Sequence, residues 1–408
     1  MDNNKPSRIA ARGRRIDARS FAFIKVGEFS HTNHCVLKQL RARFPDLQAD
    51  VIDVGDLRVI RKARWPQFAF AVASEFGLAA CSTSERFRRH ILKTSYFFLR
   101  AREALLQRLE GSRHAFTFQT QSLFDASSPG TPHFIYTDHT HLENLRYPAA
   151  TAVSRVWTNL EASAYQNASM VFTMSSNISR SLIEQYGCSP QRVECVYAGS
   201  NVSAAAAENL EASRFGAKNI LFVGIDWERK GGPVLLEAFR SIRRSHPQAR
   251  LTIVGCSPEI HEPGVHVEGR VPLGEVAKYY RAASIFCLPT LNEPFGLVFL
   301  EAFSYGLPIV ATRIGAIAEI VSEGRSGYLV MPQNAAELAD RLGSLLDDPA
   351  QCAQFGSHGR QWVGERYSWE KTGDRLASHI QRVAKLAIRN KSEPVRAFSP
   401  VLAHQAAI

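Results

Sequence analysis

Short apolar runs alternate with segments of helical spacing along most of this chain, and the alternation predicts its elements. Runs of branched and aromatic residues between polar turns are typical of strands buried in a parallel sheet. We predict strands at Phe21–Val26, Val51–Val54, Phe134–Tyr136, Met170–Thr173, Asn219–Val223, Leu251–Val254, Ile285–Leu288 and Ile309–Ala311. Helical patterns separate these strands, so the chain is predicted to form an α/β fold whose ligands bind at the carboxyl ends of the strands.

Helices are predicted where apolar residues recur every three or four positions. In the first half they cover 34–44, 86–110 and 177–186, and the last of these ends before Gly187. In the second half they cover 233–245, 273–283, 295–305, 335–347, 350–366 and 369–386. The pattern has no internal repeat of solenoid length, which disfavours a repeat architecture.

The chain has 408 residues, a length that suggests two or three domains at roughly 150 residues each. A low-complexity stretch, VSAAAAENLEAS at 202–213, separates the two halves and is interpreted as an exposed connector. The predicted organisation is a flexible basic tail at 1–19, a domain at 20–200, a linker at 201–216, a second domain at 217–366, a C-terminal helix at 367–390 and a flexible tail at 391–408.

The net charge of +11 is concentrated at residues 1–110, which contain 21 Lys and Arg against 11 Asp and Glu. Region 86–108 alone has seven Lys and Arg and one Glu, beside the apolar run Tyr96–Leu99. Such a basic helix fits a membrane surface or an anionic acceptor, and it fits equally a core helix with basic residues in solvent. Nucleic-acid binding is disfavoured because the zinc-finger and ribonucleoprotein motifs are missing from the sequence.

Two further features bear on the location of the protein. No apolar run reaches the roughly 18 residues of a membrane helix, and the basic N-terminus is not followed by the apolar segment of a secretory signal. The seven scattered cysteines include no C-x-x-C pair, which argues against a disulfide framework or a zinc ribbon. We therefore expect a soluble cytoplasmic protein, with peripheral contact to the inner face of the membrane as an open possibility.

The segment ILFVGIDWERKGG at 220–232 is the first candidate for chemistry. Its apolar strand ends at Gly224, and Arg229 and Lys230 precede two glycines and a helix that begins at Pro233. Small residues, cations and a helix N-terminus together suit a phosphate, although an ordinary strand–helix turn has the same composition. The segment does not match the P-loop, and the absence of G-x-G-x-x-G argues against a nicotinamide dehydrogenase.

The second candidate is LPTLNEPFGLVFLEAF at 288–303, where a buried strand leads to Glu293 and a helix carries Glu301. The first amides of that helix are assigned to Phe295, Gly296, Leu297 and Val298. If the whole segment were helical, the two carboxylates would lie roughly 12 Å apart along the axis. That separation exceeds the roughly 5–9.5 Å of a hydrolase pair. The glutamates are thus either two separate hydrogen-bonding groups along one extended ligand or solvated residues beside an apolar helix.

The run E-P-F-G-L-V-F-L-E resembles the E-x7-E signature of retaining family 4 glycosyltransferases with the GT-B fold. The similarity continues through FVGIDWERKGG, LTIVG and VEGRV, covers 219–347 strongly and reaches the N-terminal half only in outline. It implies two Rossmann-like domains facing each other across a cleft, with the acceptor on the N-terminal side and the nucleotide sugar on the C-terminal side. The last helix is then expected to return to the N-terminal domain.

The resemblance also implies roles for particular residues. Glu301 would bind the ribose hydroxyls, and Glu293 would contact the donor sugar. Arg229 and Lys230 would hold the diphosphate together with the 295–298 amides, beside the strand end at Gly224. Arg270 and Val271, in the G-R-V segment, would line the base.

The donor implied by the resemblance is a nucleotide-diphosphate sugar, such as a UDP- or GDP-sugar, and the acceptor is a glycan, a lipid or a small molecule. Cofactors and metals are not expected. The leaving phosphate itself can accept the proton of the acceptor when configuration is retained, so we assign no protein base. The two domains are expected to close on the donor and exclude water.

The N-terminal half offers a third candidate, the loop in FIYTDHTHLENLRYP at 134–148. The family places a loop histidine near the reacting carbon, and either His139 or His141 could fill that role. The D-H-x-H spacing also fits a metal, but no third His or Cys ligand lies nearby in the sequence. Gly27 matches a glycine-rich loop of the family only weakly, because it is the one glycine in its segment.

One departure from the family bears on activity. Many relatives have Arg directly after the glycine that ends the first strand of the second domain, and this chain has Ile225. Either Arg229 supplies the missing charge or the diphosphate binds weakly. The alternatives are therefore a non-catalytic nucleotide-sugar-binding protein, or an epimerase or phosphorylase of the same fold. A phosphorylase would usually carry lysine-bound pyridoxal phosphate, and no segment resembles that site.

Overall fold

A computed structural model describes residues 19–28, 31–148, 150–201 and 212–386. The predicted basic tail up to residue 18, residues 202–211 of the connector and the tail from 387 lie outside the described residues. The described strands of the N-terminal domain are β1 (Ser20–Lys25), β2 (Gln48–Asp53), β3 (His114–Thr120), β4 (His133–Thr137), β5 (Met170–Thr173) and β6 (Val193–Cys195). Those of the C-terminal domain are β7 (Asn219–Val223), β8 (Arg250–Val254), β9 (Val265–Gly269), β10 (Ile285–Leu288), β11 (Ile309–Thr312) and β12 (Gly327–Val330).

Helices cover both faces of the two sheets. In the N-terminal domain they are α1 (Thr32–Arg43), α2 (Trp65–Phe76), α3 (Ser84–Ile91), α4 (Ser95–Leu109), α5 (His141–Asn144), α6 (Arg155–Asn167) and α7 (Ser176–Glu184). The others are α8 (Gly232–Ser245), α9 (Leu273–Ala282), α10 (Leu297–Ser304), α11 (Ile317–Ile320), α12 (Ala335–Asp347), α13 (Pro349–Arg366) and α14 (Trp369–Ala384).

The two sheets have the same doubly wound topology. The strand order is β2-β1-β3-β4-β5-β6 in the first sheet and β12-β11-β10-β7-β8-β9 in the second, and neighbouring strands are parallel. Strands β4, β5, β10 and β11 are buried along their whole length, as expected for strands covered on both faces. The order reverses between β1 and β3 and between β7 and β10, and such a reversal opens a crevice at the carboxyl ends of the strands.

The prediction of one helix over 86–110 is wrong, because the segment forms α3 and α4 with a turn at 92–94. The Thr94 hydroxyl accepts a hydrogen bond from the Phe97 amide at 3.1 Å and caps α4. A threonine that bonds the backbone in this way starts a new helix more readily than it continues an old one. The apolar residues of the segment are mostly core, and Ile91, Phe97, Phe98, Leu105 and Leu109 are all buried.

Helix α14 packs against α1 of the N-terminal domain. The Arg43 guanidinium donates to Asp374 at 3.0 Å, and the Thr372 hydroxyl donates to the Val196 carbonyl at 3.2 Å. Buried residues of α14 belong to the same hydrophobic cluster as residues of both sheets. Helix α14, at the end of the described chain, therefore packs on the N-terminal domain.

A second contact joins the domains near α7. The carboxylate of Glu319, on α11, accepts hydrogen bonds from the Ser176 amide at 2.9 Å and from the Asn177 amide at 2.8 Å. These amides belong to the first turn of α7, where backbone donors have no partner within the helix.

None of the helices in the described ranges is both long and apolar enough to cross a membrane.

Candidate functional site

A cleft of about 670 Å³ lies between the two domains, at the carboxyl ends of their strands. The N-terminal domain contributes His31, Thr32, Asp138, Met174 and Asn201 to its walls. The C-terminal domain contributes the turn after β7, the turn after β10, the start of α10 and residues near β9. The cleft therefore sits at the β7/β10 reversal, where a doubly wound sheet is expected to bind its ligand.

Glycines allow the turn after β7 to lie close to the turn after β10. Gly231 has φ +75° and caps α8, and a Cβ there would lie 1.9 Å from the Pro289 carbonyl oxygen. At Gly224, which lines the cleft, a Cβ would lie 3.1 Å from the Lys230 side chain. At Gly231 the left-handed backbone and the close approach together require glycine.

Arg229 and Lys230, the two cations in the turn after β7, have different partners. The Arg229 guanidinium donates to the Asn292 carbonyl at 2.8 Å, and its Nε lies 3.4 Å from Asp226. The Lys230 ammonium contacts the Glu293 carboxylate. The contacts of Arg229 with Asn292 and of Lys230 with Glu293 both join the β7 turn to the β10 turn, and together they fix the positions of the two turns.

Lys230 and Glu293 form a buried ion pair. Their residues are 8% and 7% exposed, and both line the cleft. Burial of either charge alone would be costly, so each charge offsets part of the cost of burying the other. The pair presents an ammonium and a carboxylate to one ligand volume, which suits a ligand with both a phosphate and hydroxyl groups.

Glu301 lies on α10 and also lines the cleft, although it is only 7% exposed. Its Oε2 accepts a hydrogen bond from the Tyr280 hydroxyl at 3.0 Å. Burial raises the pKa of Glu301 to about 7, and the Tyr280 and Asn201 side chains oppose this shift. A carboxyl with this pKa changes charge close to neutral pH.

Helix α10 begins at Leu297, two residues later than the prediction of 295. Gly296 caps it with φ +97°, and a Cβ at that position would lie 2.5 Å from the Phe299 ring. The first free amides of α10 are therefore those of Leu297 and Val298, both of which line the cleft. Phe295 is buried, with its ring 6.2 Å from that of Tyr367.

The two remaining predicted residues of the second domain also lie at the cleft. Arg270 and Val271 line it at the end of β9, next to Val276. Ile225 lines it as well and is 71% exposed. The structure thus brings together, from sequence-distant segments, every residue predicted for the C-terminal half of the site.

The loop after β4 places Asp138, rather than either histidine, on the cleft wall. The His139 ring bonds the Asp138 carboxylate at 2.9 Å. Burial lowers the pKa of His139, but this hydrogen bond and the charges of Asp138 and Glu161 outweigh it, and the pKa is raised overall. His141 points instead into the domain, with its ring 5.4 Å from that of Trp157, and burial lowers its pKa to about 4.

Gly27 is not among the cleft-lining residues. It has φ +60°, and its amide donates to Asp53 at 3.2 Å. Residues Phe29 and Ser30 of the same segment lie outside the described residues. The nearest described neighbours that do line the cleft are His31 and Thr32 at the start of α1.

Several cleft residues were not identified from the sequence, among them Asp138, Met174 and Asn201. Asp138 stands in the predicted loop, directly before His139. Met174 directly follows β5, and the carboxyl end of a parallel strand is a general signal for a site. Asn201 adjoins the connector and carries no comparable signal.

Residues 217–348 match the family model described as Glycosyl transferases group 1. The chain is 31% identical over 244 residues to the D-inositol 3-phosphate glycosyltransferase of Corynebacterium efficiens, covering 53% of this chain and 57% of that protein. It is 32% identical over 168 residues to the GDP-mannose-dependent alpha-(1-6)-phosphatidylinositol monomannoside mannosyltransferase of Mycolicibacterium smegmatis, covering 36% and 44%. The matched part thus spans about half the length of these curated relatives.

Solved structures resemble the whole fold at lower identity. Sucrose-phosphate synthase from Thermosynechococcus elongatus has a TM-score of 0.67 and 16% identity, covering 90% of this chain and all of that one. Anabaena Alr3699/HepE in complex with UDP-glucose has a TM-score of 0.62 and 15% identity, covering 88% and 99%. These likenesses confirm the GT-B fold that the sequence predicted.

Proposed function

We propose that this chain is a retaining glycosyltransferase that moves a sugar from a nucleotide-diphosphate sugar, such as a UDP- or GDP-sugar, to a glycan, lipid or small-molecule acceptor. The observation that supports this most is the convergence of Lys230, Glu293, Glu301 and the α10 N-terminus on one cleft. Lys230 and the α10 N-terminus suit phosphates, Glu293 suits the hydroxyls of a sugar, and Glu301 suits those of a ribose.

The donor would lie along the C-terminal wall of the cleft. Glu301 would accept hydrogen bonds from the ribose hydroxyls, with the base near Arg270 and Val271. The diphosphate would lie between Lys230 and the Leu297 and Val298 amides, where a helix N-terminus favours an anion. Glu293 would accept from the sugar hydroxyls while Lys230 turns toward the phosphate.

Transfer breaks the bond between the anomeric carbon and the β-phosphate oxygen, and the electron pair stays on that oxygen. A fixed cation and fixed amides near this oxygen stabilise the leaving charge more than they stabilise the intact donor. The acceptor oxygen then bonds to the anomeric carbon from the same face. Its proton passes to the departing phosphate, so the step balances without a protein base.

The N-terminal wall would face the sugar and the acceptor. Asp138 lines the cleft there and bonds His139, and through this carboxylate the pair would orient a sugar hydroxyl. The interdomain contact between Glu319 and α7 would help to keep the walls together. A closed cleft excludes the water that would otherwise hydrolyse the donor.

The first test is donor binding. Thermal shifts would be measured with UDP-, GDP-, ADP- and dTDP-sugars for the wild type, for Glu301→Ala and for a matched control, Glu275→Ala, which lies on the exposed surface of α9. We expect one nucleotide to raise the melting temperature of the wild type and the control, and not of Glu301→Ala. NMR of the product formed with that donor would report the anomeric configuration. An inverted product would overturn the retaining mechanism.

A second candidate is a nucleotide-sugar-binding protein without turnover. The exposed Ile225 favours it, because an apolar side chain lines the cleft where many similar sequences have arginine. This candidate predicts a donor-dependent thermal shift with neither transfer nor donor hydrolysis. Ile225→Arg would then be expected to strengthen donor binding without creating activity.

A further inference from the structure

Helix α2 and the turn that follows it expose large apolar side chains on the N-terminal domain. Phe70 is 75% exposed and Leu78 is 81% exposed, and Trp65 at the start of α2 is 47% exposed. A hollow beside Phe70 is lined by Pro66, Ala71 and Tyr96 among others. Single exposed apolar residues are ordinary, but three large ones within one short helical segment define an apolar surface.

Arginines border this surface. Arg86 and Arg88 are exposed on α3, which packs against α2, and the Trp65 ring stacks on that of Phe87 at 5.3 Å. Between residues 56 and 93 the sequence has eight Lys and Arg against three Asp and Glu. One of those acids, Glu75, is occupied by hydrogen bonds from the Ser95 amide and the Ser154 hydroxyl.

Most of the apolar side chains in region 86–108 do not belong to this exposed surface. Helix α4 turns Phe97, Phe98 and Leu105 into the core, so the predicted membrane contact cannot use these side chains. Leu99 and Leu106 of α4 stay partly exposed, at 48% and 37%, but the more exposed side chains Phe70 and Leu78 lie on α2 and the 78–81 turn, and α3 supplies the charge beside them. The amphipathic surface is thus assembled from α2, the turn and α3.

We propose that this surface, formed by Trp65, Phe70 and Leu78 with Arg86 and Arg88, docks on an anionic lipid bilayer. Aromatic and leucine side chains enter the boundary between headgroups and acyl chains, while arginines stay at the level of the phosphates. Each cation near such a surface adds attraction to anionic lipid, so charge complementarity favours a bilayer over an uncharged apolar partner. A second copy of the chain would place the same arginines opposite one another, and their repulsion makes it a less favourable occupant of this surface.

The position of this surface relates it to the cleft. The 92–94 turn joins α3 to α4, and the positive charges of Arg229 and Arg89 help to lower the pKa of Lys93, after the larger effect of its burial. Lys93 in this turn is thus close enough to Arg229 of the β7 turn for the two charges to interact. If the proposed function holds, a lipid acceptor could reach the cleft from the membrane. The docking itself does not depend on transfer activity.

The test is flotation of the full chain with vesicles of phosphatidylcholine alone or mixed with phosphatidylglycerol, at low and high salt. Two double variants are compared with the wild type, Phe70→Ser with Leu78→Ser and Arg86→Glu with Arg88→Glu. Matched controls on the C-terminal domain are Met331→Ser, which is 59% exposed, and Arg244→Glu with Arg325→Glu, both exposed. Each surface double variant is expected to weaken partitioning onto anionic vesicles about tenfold or more, while the controls bind like the wild type.

Separate readouts distinguish this proposal from the proposed function. Thermal shifts with nucleotide sugars are expected to be the same in all variants, because none of the substituted residues lines the cleft. Quenching of the Trp65 fluorescence by brominated lipid, lost in Trp65→Phe, would place the surface in the bilayer. Failure of the wild type to bind anionic vesicles at low salt overturns the proposal. So does a lipid-free dimer that Phe70→Ser with Leu78→Ser dissociates, since a second copy would then cover the surface.

Discussion

The Lys230 ammonium lies against the Glu293 carboxylate in the cleft, although the two residues are 63 positions apart and belong to different turns. Both residues are more than nine-tenths buried. Each charge therefore depends on the other until a ligand provides new partners. We infer that a bound donor exchanges this contact for two others, phosphate with Lys230 and sugar hydroxyls with Glu293.

Lys230→Ala is expected to reduce donor affinity and transfer strongly, because it removes the cation nearest the proposed leaving group. It also leaves Glu293 buried without its partner, which is expected to cost about 3–5 kcal/mol of the free energy of unfolding. Urea denaturation would measure the stability and donor titration the affinity.

The control for this experiment is the double-mutant cycle with Glu293→Ala. Contacting charges typically show a coupling of about 1–3 kcal/mol in stability, so the double variant should be more stable than the sum of the single effects indicates. Additive effects on stability would mean that the pair is not coupled in solution. Donor binding that survives in Lys230→Ala would remove the lysine from the proposed site.

Glu301 is expected to make the stability of the protein depend on pH. Its pKa of about 7 in the folded chain lies above the ordinary value of 4.5, so the folded state holds a proton that the unfolded state has released. This bound proton stabilises the folded state, and the stabilisation is lost progressively as pH rises from about 4.5 to about 7. The free energy of unfolding should therefore fall by about 2 kcal/mol between pH 5 and pH 8. Denaturation at both pH values should show this loss in the wild type and not in Glu301→Gln.

The same group is expected to govern donor binding. The ionised carboxylate accepts hydrogen bonds at both oxygens, so donor affinity should rise as pH increases through about 7. Glu301→Gln should bind more weakly and lose this dependence. An affinity that stays constant from pH 6 to pH 8 in the wild type would show that Glu301 does not contact the donor.

The C-terminal half of the site could be predicted from the sequence because its signals are local. Arg229, Lys230 and Glu293 each stand in the turn that follows a strand marked by branched residues, and glycines mark the turns that bring them together. Parallel strands then place these turns at one edge of the sheet, whatever the rest of the chain does. The strand ranges 170–173, 219–223 and 285–288 agree with the structure at both ends for the same reason.

The N-terminal half was harder to predict because its chemistry depends on side-chain direction. The sequence places Asp138 and His139 next to each other, and only the packing decides that Asp138 meets the cleft. His141 is drawn into the core by its contact with Trp157, sixteen positions away. The break between α3 and α4 depends on a single threonine cap within a continuous helical pattern.

Asp138→Asn is expected to lower the pKa of His139. Burial disfavours the charged imidazole, and the Asp138 carboxylate opposes burial through its hydrogen bond and charge. NMR titration of the imidazole would measure the change, with His133 as an internal reference because burial holds its pKa at about 3. An unchanged His139 pKa would show that the carboxylate does not control its charge.

The same variant tests stability with a defined sign. The raised pKa of His139 stabilises the fold fully below its ordinary value of 6.5, and this contribution is lost as pH rises through the folded value. Asp138→Asn should therefore destabilise the protein more at pH 6 than at pH 9. A loss that is equal at both pH values would reflect packing alone.

Glu319→Ala is expected to loosen the contact between the domains at α7. The Glu319 carboxylate accepts from the Ser176 and Asn177 amides, and a negative charge at a helix N-terminus also interacts favourably with the helix dipole. Loss of such a cap costs about 1 kcal/mol, so hydrogen exchange of these two amides should become about fivefold faster. Glu337→Ala is the matched control, because this carboxylate accepts from the Met331 amide within the C-terminal domain. Faster exchange throughout α7 in both variants would indicate general destabilisation instead of a lost interdomain bond.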